Sequence, residues 1–261
     1  MLRSLYTASC GMYAQQLNID TLAHNMSNVN TTAYKKERVE FQDLLYQTIK
    51  RPTATDDRIE PVGMQVGLGV KPVAISTHYG QGNFLATENP LDIAISGNGF
   101  LQVQVPGHDD PLYSRSGALK IDAEGNLVTS DGYYLIGTEV IEQGAYDFNI
   151  DKTGLVTYRL PGETEPLEAG QLTLSKFINP DGLTKLGSSL YQPSINSGEP
   201  IDWDPEEDSS IEIVNSYLEA SNVQVVEEMV GLITAQRAYE FNSKLIQASD
   251  EMLQTAAGLK R

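Results

Sequence analysis

The sequence predicts an α+β protein, in which long N- and C-terminal helices pair as one coiled-coil-like domain around a central antiparallel all-β domain. Apolar residues recur every seven positions near both ends of the chain, which is typical of packed helices. The middle of the chain instead alternates short apolar runs with Gly, Asn and Asp turns, which is typical of short strands. We therefore expect a terminal helical domain at 1–35 and 211–261, connecting segments at 36–90 and 186–210, and a central β domain at 91–185.

The N-terminal helix carries two series of residues spaced seven apart, which correspond to the a and d positions of a heptad. The series are Leu5, Met12, Ile19 and Met26, and Ala8, Gln15, Leu22 and Val29. Seven of these eight residues are apolar. The pattern predicts a helix whose apolar stripe packs against another helix.

The C-terminal region carries a longer series of the same kind, with a broader apolar stripe. Its members are Leu218, Val225, Leu232, Tyr239, Ile246 and Leu253, and Met229 widens the stripe. A helix from Leu218 to Ala257 would be roughly 60 Å long at 1.5 Å per residue. Because the partner helix can cover only one seam, the remaining apolar surface predicts packing against other copies of the chain.

Turn signals divide the middle of the chain into candidate hairpins. The stretches "DAEGNLV", "DKTGLV" and "NPDGLTKL" each place an acidic residue before a Gly and then an apolar residue, which predicts three hairpin turns. Residues 50–71 and 193–210 are rich in turn-forming residues and show neither helical nor strand periodicity, so they are predicted to be extended linkers.

Charge and composition exclude several classes of function. The net charge of −17 argues against nucleic acid and against an anionic membrane surface as partners. No apolar run reaches the roughly 18 residues that a membrane span requires, and no cleavable signal is expected. With one cysteine, Cys10, the chain can form no internal disulfide.

Signatures of catalysis and of metal binding are weak. The three histidines, His24, His78 and His108, are isolated in the sequence and lack the spacing of metal ligands. The acidic run at 202–208 fails as a calcium loop because Ile213 stands where a bidentate Glu is needed. We therefore predict no catalytic residue, no cofactor and no metal site, although a hydrolytic pair of carboxylates remains open.

Four stretches, in three regions of the chain, resemble the bacterial flagellar basal-body rod family. The stretches are "LAHNMSNVNTTAYKK" near the N-terminus, "GNGFLQV" and "YSRSGALKIDAEGNLVTSDGYYLIG" in the middle, and "YLEASNVQVVEEMVGLITAQRAYEFNSKLIQASDEML" near the C-terminus. The residues that match the family's N-terminal motif are Asn25, Asn28, Asn30, Thr31, Tyr34 and Lys35. The chain departs from the motif at His24, Met26, Ser27 and Ala33. The family usually has Gly in place of Ala33, so a positive φ there would strain Ala33 by about 1 kcal/mol.

The resemblance implies a structural subunit of the distal rod that self-assembles into a hollow helical tube and transmits motor torque to the hook. It implies as partners other copies of the chain, proximal rod proteins, hook protein, the surrounding rings and the flagellar type III export apparatus. The expected location is the flagellar basal body, reached without a cleaved signal. The expected assembly interface consists of Leu5, Met12, Ile19, Leu22, Met26, Val29, Leu218, Val225, Met229, Leu232, Tyr239, Ile246 and Leu253.

Two alternatives remain open from the sequence. One is another axial protein of the same family, either a proximal rod protein or a short hook-like protein. The other is an extracellular binding module or a hydrolase that depends on a pair of carboxylates.

Overall fold

The computed structural model describes residues 2–55, 58–60, 62–108, 110–162, 165–206 and 208–258. Its helices are α1 (Leu2–Ser27) and α2 (Val225–Gly258), with one 3₁₀ turn at Pro180–Gly182. Its strands are β1 (Glu37–Asp43), β2 (Tyr46–Lys50), β3 (Thr53–Thr55), β4 (Arg58–Glu60), β5 (Met64–Gly67), β6 (Val70–Thr77), β7 (Phe84–Ala86), β8 (Ile93–Ser96), β9 (Phe100–Gln104), β10 (Leu112–Ser114), β11 (Leu119–Ile121), β12 (Leu127–Thr129), β13 (Tyr134–Leu135), β14 (Tyr146–Ile150), β15 (Leu155–Arg159), β16 (Leu167–Gln171), β17 (Leu174–Lys176), β18 (Thr184–Gly187), β19 (Leu190–Gln192), β20 (Ile201–Asp202), β21 (Glu212–Asn215) and β22 (Tyr217–Glu219).

The chain divides into two compact units, each of which draws on separated parts of the sequence. The first unit comprises the described residues of 1–27, 37–77 and 224–261, and the second comprises those of 28–36 and 78–223. The α+β class is confirmed, because the chain has a helix near each end and antiparallel strands between them. The predicted three-part division of the chain stays a prediction. Strands are not confined to 91–185, since residues 37–77 and 212–219 form strands too.

In the first unit, α1 and α2 pack antiparallel along a seam of small and polar residues. The pairs along the seam are Ser4 with Ser249, Gly11 with Asn242, Leu22 with Gly231, and Asn25 with Glu228. The approach is close, since a Cβ atom at Gly11 would lie 2.8 Å from Nδ2 of Asn242. Small side chains are therefore what allow the two helices to meet here.

Two residues of the predicted helical stripes lie outside the helices. Val29 follows the last helical residue, Ser27, and lies in the turn at 28–30, where Asn residues compete for helical hydrogen bonds. Leu218 lies in β22 and pairs with Leu85, so the seven-residue period continues into a strand. Helix α2 therefore has 34 residues and spans about 51 Å, which is shorter than predicted.

Residues 37–77 form a ribbon of nested antiparallel pairs. Strand β1 pairs with β6, β2 with β5, and β3 with β4. The predicted linker at 50–71 is thus largely strand, apart from residues 56, 57 and 61, which lie outside the described residues. All residues of β2 and β5 are exposed, so neither strand has the buried face that a half-buried strand shows in its sequence.

The second unit is built around a nine-stranded antiparallel sheet. Its main path runs β11-β12-β13-β9-β10-β19-β18, and β17 pairs with both β9 and β20. Strands β14, β15 and β16 form a separate sheet, β8 pairs with β21, and β7 pairs with β22. The larger core cluster of this unit is mainly aliphatic and includes Leu101, Val103, Val156 and Leu174, all of which are fully buried, and a smaller buried cluster is mainly aromatic. Residues 78–223 carry 23 Asp and Glu but only six Lys and Arg, so most of the net charge belongs to this unit.

Two of the three predicted hairpin turns are confirmed. Gly125 closes the turn between β11 and β12, and Gly154 closes the turn between β14 and β15; both have positive φ, at 89° and 83°. The third prediction, over "NPDGLTKL", is wrong. That stretch forms the 3₁₀ turn at Pro180–Gly182, because Pro fixes φ in the helical range and lacks the N–H that a strand ladder uses.

Neither helix, among the residues that the structure describes, combines the length and apolar character that crossing a bilayer requires.

An ion pair fixes the acidic loop that follows β20. The Lys176 ammonium donates a hydrogen bond to the Asp208 carboxylate, and the Ser210 amide donates to the same carboxylate at 2.9 Å. The indole N–H of Trp203 donates to the Asp208 carbonyl at 2.8 Å. The Lys176 hydrogen bond, followed by those from Ser210, lowers the pKa of Asp208 to about 2.

Ala33 lies in the left-handed region, with φ of 56°. Its amide donates a hydrogen bond of 2.8 Å to the Glu219 carbonyl, and its side chain is buried. An L-residue in this region is strained because its Cβ crowds a neighbouring carbonyl oxygen. The chain therefore holds an alanine where glycine would be free of strain.

We expect Ala33→Gly to raise the free energy of unfolding by up to about 1 kcal/mol. Relief of left-handed strain contributes roughly 1–2 kcal/mol, and the greater freedom of Gly in the unfolded chain offsets about 0.5–1 kcal/mol of it. Urea unfolding of the two proteins measures the difference. Ala94→Gly is the control, since Ala94 lies buried within strand β8 and its loss should destabilise the fold. Equal destabilisation by both changes would show that Ala33 is not strained.

We expect Asp208→Asn to lower thermal stability at neutral pH and to have a much smaller effect near pH 2. The folded pKa of Asp208 lies below its ordinary value of 3.8, so its stabilising effect is present above about pH 4 and is lost as the pH falls through about 2. Melting temperatures of both proteins between pH 2 and pH 7 test this. Asp181→Asn, which alters an exposed carboxylate, is the control. A difference that stays constant with pH would contradict the ion pair.

Candidate functional site

A cluster of three buried charges links distant parts of the second unit. It consists of Lys35, Arg115 and Glu219, which we call the charge cluster, and the exposed fractions of their side chains are 0%, 2% and 1%. Lys35 belongs to residues 28–36, which we call the joint segment. Arg115 follows β10 and Glu219 ends β22, so the cluster brings together three regions that are far apart in sequence.

The Glu219 carboxylate is the centre of the cluster. Its Oε1 accepts hydrogen bonds from Lys35 Nζ at 2.6 Å, from Gln81 Nε2 at 2.7 Å and from the Gly82 amide at 2.8 Å. Its Oε2 accepts one from Arg115 Nε at 2.7 Å. A buried carboxylate is stable only when its oxygens are satisfied in this way.

The Arg115 guanidinium uses its other N–H groups to hold a backbone loop. It donates to the Gly99 carbonyl at 3.1 Å, to the Gly97 carbonyl at 2.7 Å and to Gln81 Oε1 at 3.1 Å. The planar donor fork of arginine matches this set, which a lysine could not reproduce. Arg115 therefore fixes the loop between β8 and β9 as well as Glu219.

The cluster contains two positive charges and one negative charge. Burial lowers the pKa of Lys35, and the nearby charge of Arg115 lowers it further, against the opposing effect of Glu219. The Gly80 carbonyl gives Lys35 a second acceptor at 2.9 Å. Each of the three side chains therefore also hydrogen-bonds to backbone groups of another segment.

Two asparagines, one in each unit, bind backbone groups of other segments. In the first unit, the side chain of Asn25 accepts a hydrogen bond from the Glu37 amide at 2.9 Å and donates to the Glu37 carbonyl at 2.8 Å. It also donates to Glu228 Oε2 at 3.1 Å. In the second unit, Asn222 accepts from the Lys36 amide at 2.7 Å and donates to the carbonyls of His78 and Gly80.

The other residues of the N-terminal motif shape the turn that follows α1. Thr31 donates a side-chain hydrogen bond to Asn28 Oδ1 at 3.1 Å, and its amide donates to the Asn28 carbonyl. The side chain of Asn30 is exposed to solvent. The backbone carbonyl of Tyr34 accepts a hydrogen bond from the Asn222 amide at 3.3 Å. The motif thus divides into residues that form a turn and residues, chiefly Asn25 and Lys35, that bind distant segments.

The residues predicted to form the assembly interface differ in exposure. Those that are half-buried in the single chain are Leu5, Met12, Ile19, Leu22, Met26, Val29, Leu218, Leu232, Ile246 and Leu253. Those that are exposed are Val225, Met229 and Tyr239. Of these residues, Leu22 lies in the seam between α1 and α2, opposite Gly231.

Sequence reasoning missed a second set of bulky residues that face outward. On α2 they are Val226, Val230, Ile233, Phe241, Leu245 and Met252, and on α1 they are Tyr6 and Tyr13. Phe241 is 64% exposed and Tyr13 is 62% exposed. The α2 residues recur at intervals that keep them on one helical face, which is the signal that could have found them.

Sequence reasoning also missed Gln81, Arg115, Glu219 and Asn222. Arg115, Glu219 and Asn222 lie within stretches that resemble the rod family, but their sequence spacing does not show their contacts, because each binds a segment that is distant in the chain. Over the described ranges, no group of three His, Cys, Asp or Glu side chains is arranged to hold a metal ion.

Three family models match separate parts of the chain. Residues 5–35 match the flagella basal body rod protein model, residues 94–158 match the D1 domain of flagellar hook protein FlgE/F/G, and residues 214–259 match the C-terminal model of flagellar basal body rod FlgEFG proteins. Lys35, Arg115 and Glu219 each fall within a different one of these matches. The charge cluster therefore joins the three parts.

Whole-chain relatives agree with these matches. The flagellar basal-body rod protein FlgG of Borreliella burgdorferi is 44% identical over 100% of both chains. FlgG of Agrobacterium fabrum is 44% identical over 96% of this chain and 97% of its own. The flagellar hook-basal body complex protein FlhP of Bacillus subtilis is 32% identical over 97% of each chain. The chain belongs to the FlgG family of flagellar basal-body rod proteins.

Proposed function

We propose that this chain is a structural subunit of the distal rod, and that many copies polymerise into a hollow helical tube that carries motor torque to the hook. The observation that carries the proposal is the placement of bulky apolar residues on the outer faces of α1 and α2. A soluble monomer rarely exposes so broad an apolar stripe, and such stripes mark sites of association. Because the chain belongs to a rod family, we propose that these apolar residues contact another copy of the chain.

The helix seam explains why assembly is needed. The two helices bury Gly, Ala, Ser and Asn against each other, as at Gly11 and Ala235, and this leaves their larger apolar residues exposed. Burying one such residue contributes roughly 1.5–3 kcal/mol. In a tube, helices of neighbouring copies would cover these faces with coiled-coil-like packing. The same interface would repeat from one copy to the next without closing into a ring.

The ribbon of residues 37–77 offers a second apolar surface. Leu45 is 84% exposed, and Ile49 and Met64 are also exposed. A two-stranded ribbon with both faces in water has little to stabilise it alone, so contact with a neighbouring copy would give it support. We propose that the ribbon stiffens the tube.

The remaining partners follow from the position of a distal rod. They would be proximal rod proteins at one end, hook protein at the other, the surrounding rings and the flagellar type III export apparatus. A role as a proximal rod or short hook-like protein is the alternative, and catalysis has no part in either function.

We expect Phe241→Asp to abolish polymerisation while leaving the folded chain intact. Phe241 is exposed in the single chain, so its replacement should change the free energy of unfolding by about 0.5 kcal/mol or less. A charge buried in an interface would instead cost several kcal/mol. Sedimentation and electron microscopy measure polymer, and swimming measures function.

Gln247→Asp is the matched control, because it places the same charge on an exposed polar position of the same helix. Leu232 and Ile246 are poorer probes, since both are half-buried and an Asp there would also weaken the helix pair. Polymer and swimming equal to those of the unsubstituted chain in Phe241→Asp would refute an interface at this face.

We expect deletion of residues 46–67 to give tubes that bend more than unaltered tubes. The deletion removes β2 and β5 together and joins Leu45 to Leu68. The two ends are already close, because the Leu44 amide donates a hydrogen bond to the Gly69 carbonyl at 2.8 Å. Strands β1 and β6 should therefore remain paired. Electron microscopy gives the persistence length, and straight tubes of unchanged stiffness would reject the stiffening role.

A further inference from the structure

We infer that Lys35 prevents the joint segment from docking until the C-terminal strand β22 is in place. This dependence acts within a single chain and does not require polymer formation. The joint segment, residues 28–36, would stay undocked until Glu219 is in place. The end of the N-terminal motif would then become ordered only after the C-terminal strand has docked.

The first support is the charge balance of the cluster. Lys35 and Arg115 are both buried and both cationic, and Glu219 is the anion that contacts each of them. Without Glu219, docking the joint segment would bury a lysine beside an arginine with no compensating charge. Like charges at close range in a medium of low dielectric repel strongly, so docking would be unfavourable.

The second support is the source of the joint segment's backbone hydrogen bonds. The Ala33 amide donates to the Glu219 carbonyl at 2.8 Å, and the Lys36 amide donates to Asn222 Oδ1 at 2.7 Å. The Asn222 amide donates to the Tyr34 carbonyl at 3.3 Å. The last residue of β22, Glu219, thus supplies the charge, and Glu219 together with Asn222 supplies hydrogen-bond partners for the backbone of the joint segment.

The third support is that the C-terminal strand has its own anchors. Strand β22 pairs with β7, the Ala220 amide donates to the Asn83 carbonyl at 2.8 Å, and the Thr87 amide donates to the Ser216 carbonyl at 2.9 Å. The Arg115–Glu219 pair is neutral as a whole and needs no lysine. The strand can therefore seat first and the joint segment second, whereas the reverse order meets the repulsion between Lys35 and Arg115.

Amide hydrogen exchange of the full chain tests this order residue by residue. In Glu219→Gln, we expect the amides of Ala33 and Lys36 to exchange roughly a hundredfold faster, because a buried ion pair has been broken. Glu219→Gln also breaks the Arg115–Glu219 pair, but the pairing of β22 with β7 remains, so we expect the amides of Thr87 and Ala220, which report on seating of the strand, to exchange at least about tenfold less fast, relative to the unsubstituted chain, than those of Ala33 and Lys36. Glu212→Gln is the matched control, since Glu212 lies on neighbouring β21 with an exposed side chain.

The decisive variant is Lys35→Met combined with Glu219→Gln. If the charge of Lys35 prevents docking in the absence of Glu219, its removal should restore protection of Ala33 and Lys36 to within about tenfold of the unsubstituted chain. A purely structural role for Glu219 predicts the opposite, since the double variant would then be no better protected than Glu219→Gln alone. Rescue supports the inference, and absence of rescue overturns it.

Lys35→Met alone keeps the test valid if Glu219→Gln does not fold. The single change leaves the neutral Arg115–Glu219 pair, so we expect protection of Ala33 and Lys36 to fall by no more than about tenfold. A hundredfold loss in Lys35→Met would show that the lysine is needed for docking rather than opposed to it. Equal loss at all four reporter amides in Glu219→Gln would likewise overturn the proposed order.

Discussion

The buried carboxylate of Glu219 is the interaction on which the rest of the second unit depends. It receives hydrogen bonds from residues before β7, from the arginine that follows β10 and from the N-terminal motif. Desolvation makes a buried charge costly, and only complete satisfaction of its oxygens makes it tolerable. A single side chain therefore requires several distant segments to be correctly placed at once, which specifies one arrangement of the chain.

A different constraint shapes the first unit. The close approach of α1 and α2 demands small side chains at their seam, so residues that would fill a normal helical core are displaced to the outside. The two helices therefore pair, but many of their large apolar residues remain exposed to solvent. The assembly that we propose would cover this exposed apolar surface with other copies of the chain.

The sequence allowed prediction of both helices and of the β-rich centre, because heptad spacing and turn residues are local signals. It did not reveal where α2 begins, since Leu218 keeps the seven-residue period although it lies in a strand. The sequence also did not show which residues of each helix face the partner helix. Large apolar residues usually fill such a contact, whereas here Gly11 and Ser249 lie at the seam and Phe241 is exposed. Glu219 and Arg115 left no local signal, since their partners are distant and a buried charge has no periodicity.

The uneven distribution of charge bears on how the chain behaves before it assembles. The second unit carries nearly all of the net negative charge, whereas the apolar faces belong to the helices of the first. Electrostatic repulsion between acidic units acts over about 8–10 Å at moderate salt, which is farther than apolar contact. Under the proposed assembly, this repulsion would oppose contact between the helices of free subunits, and counterions or a growing end that holds a subunit in place would favour it.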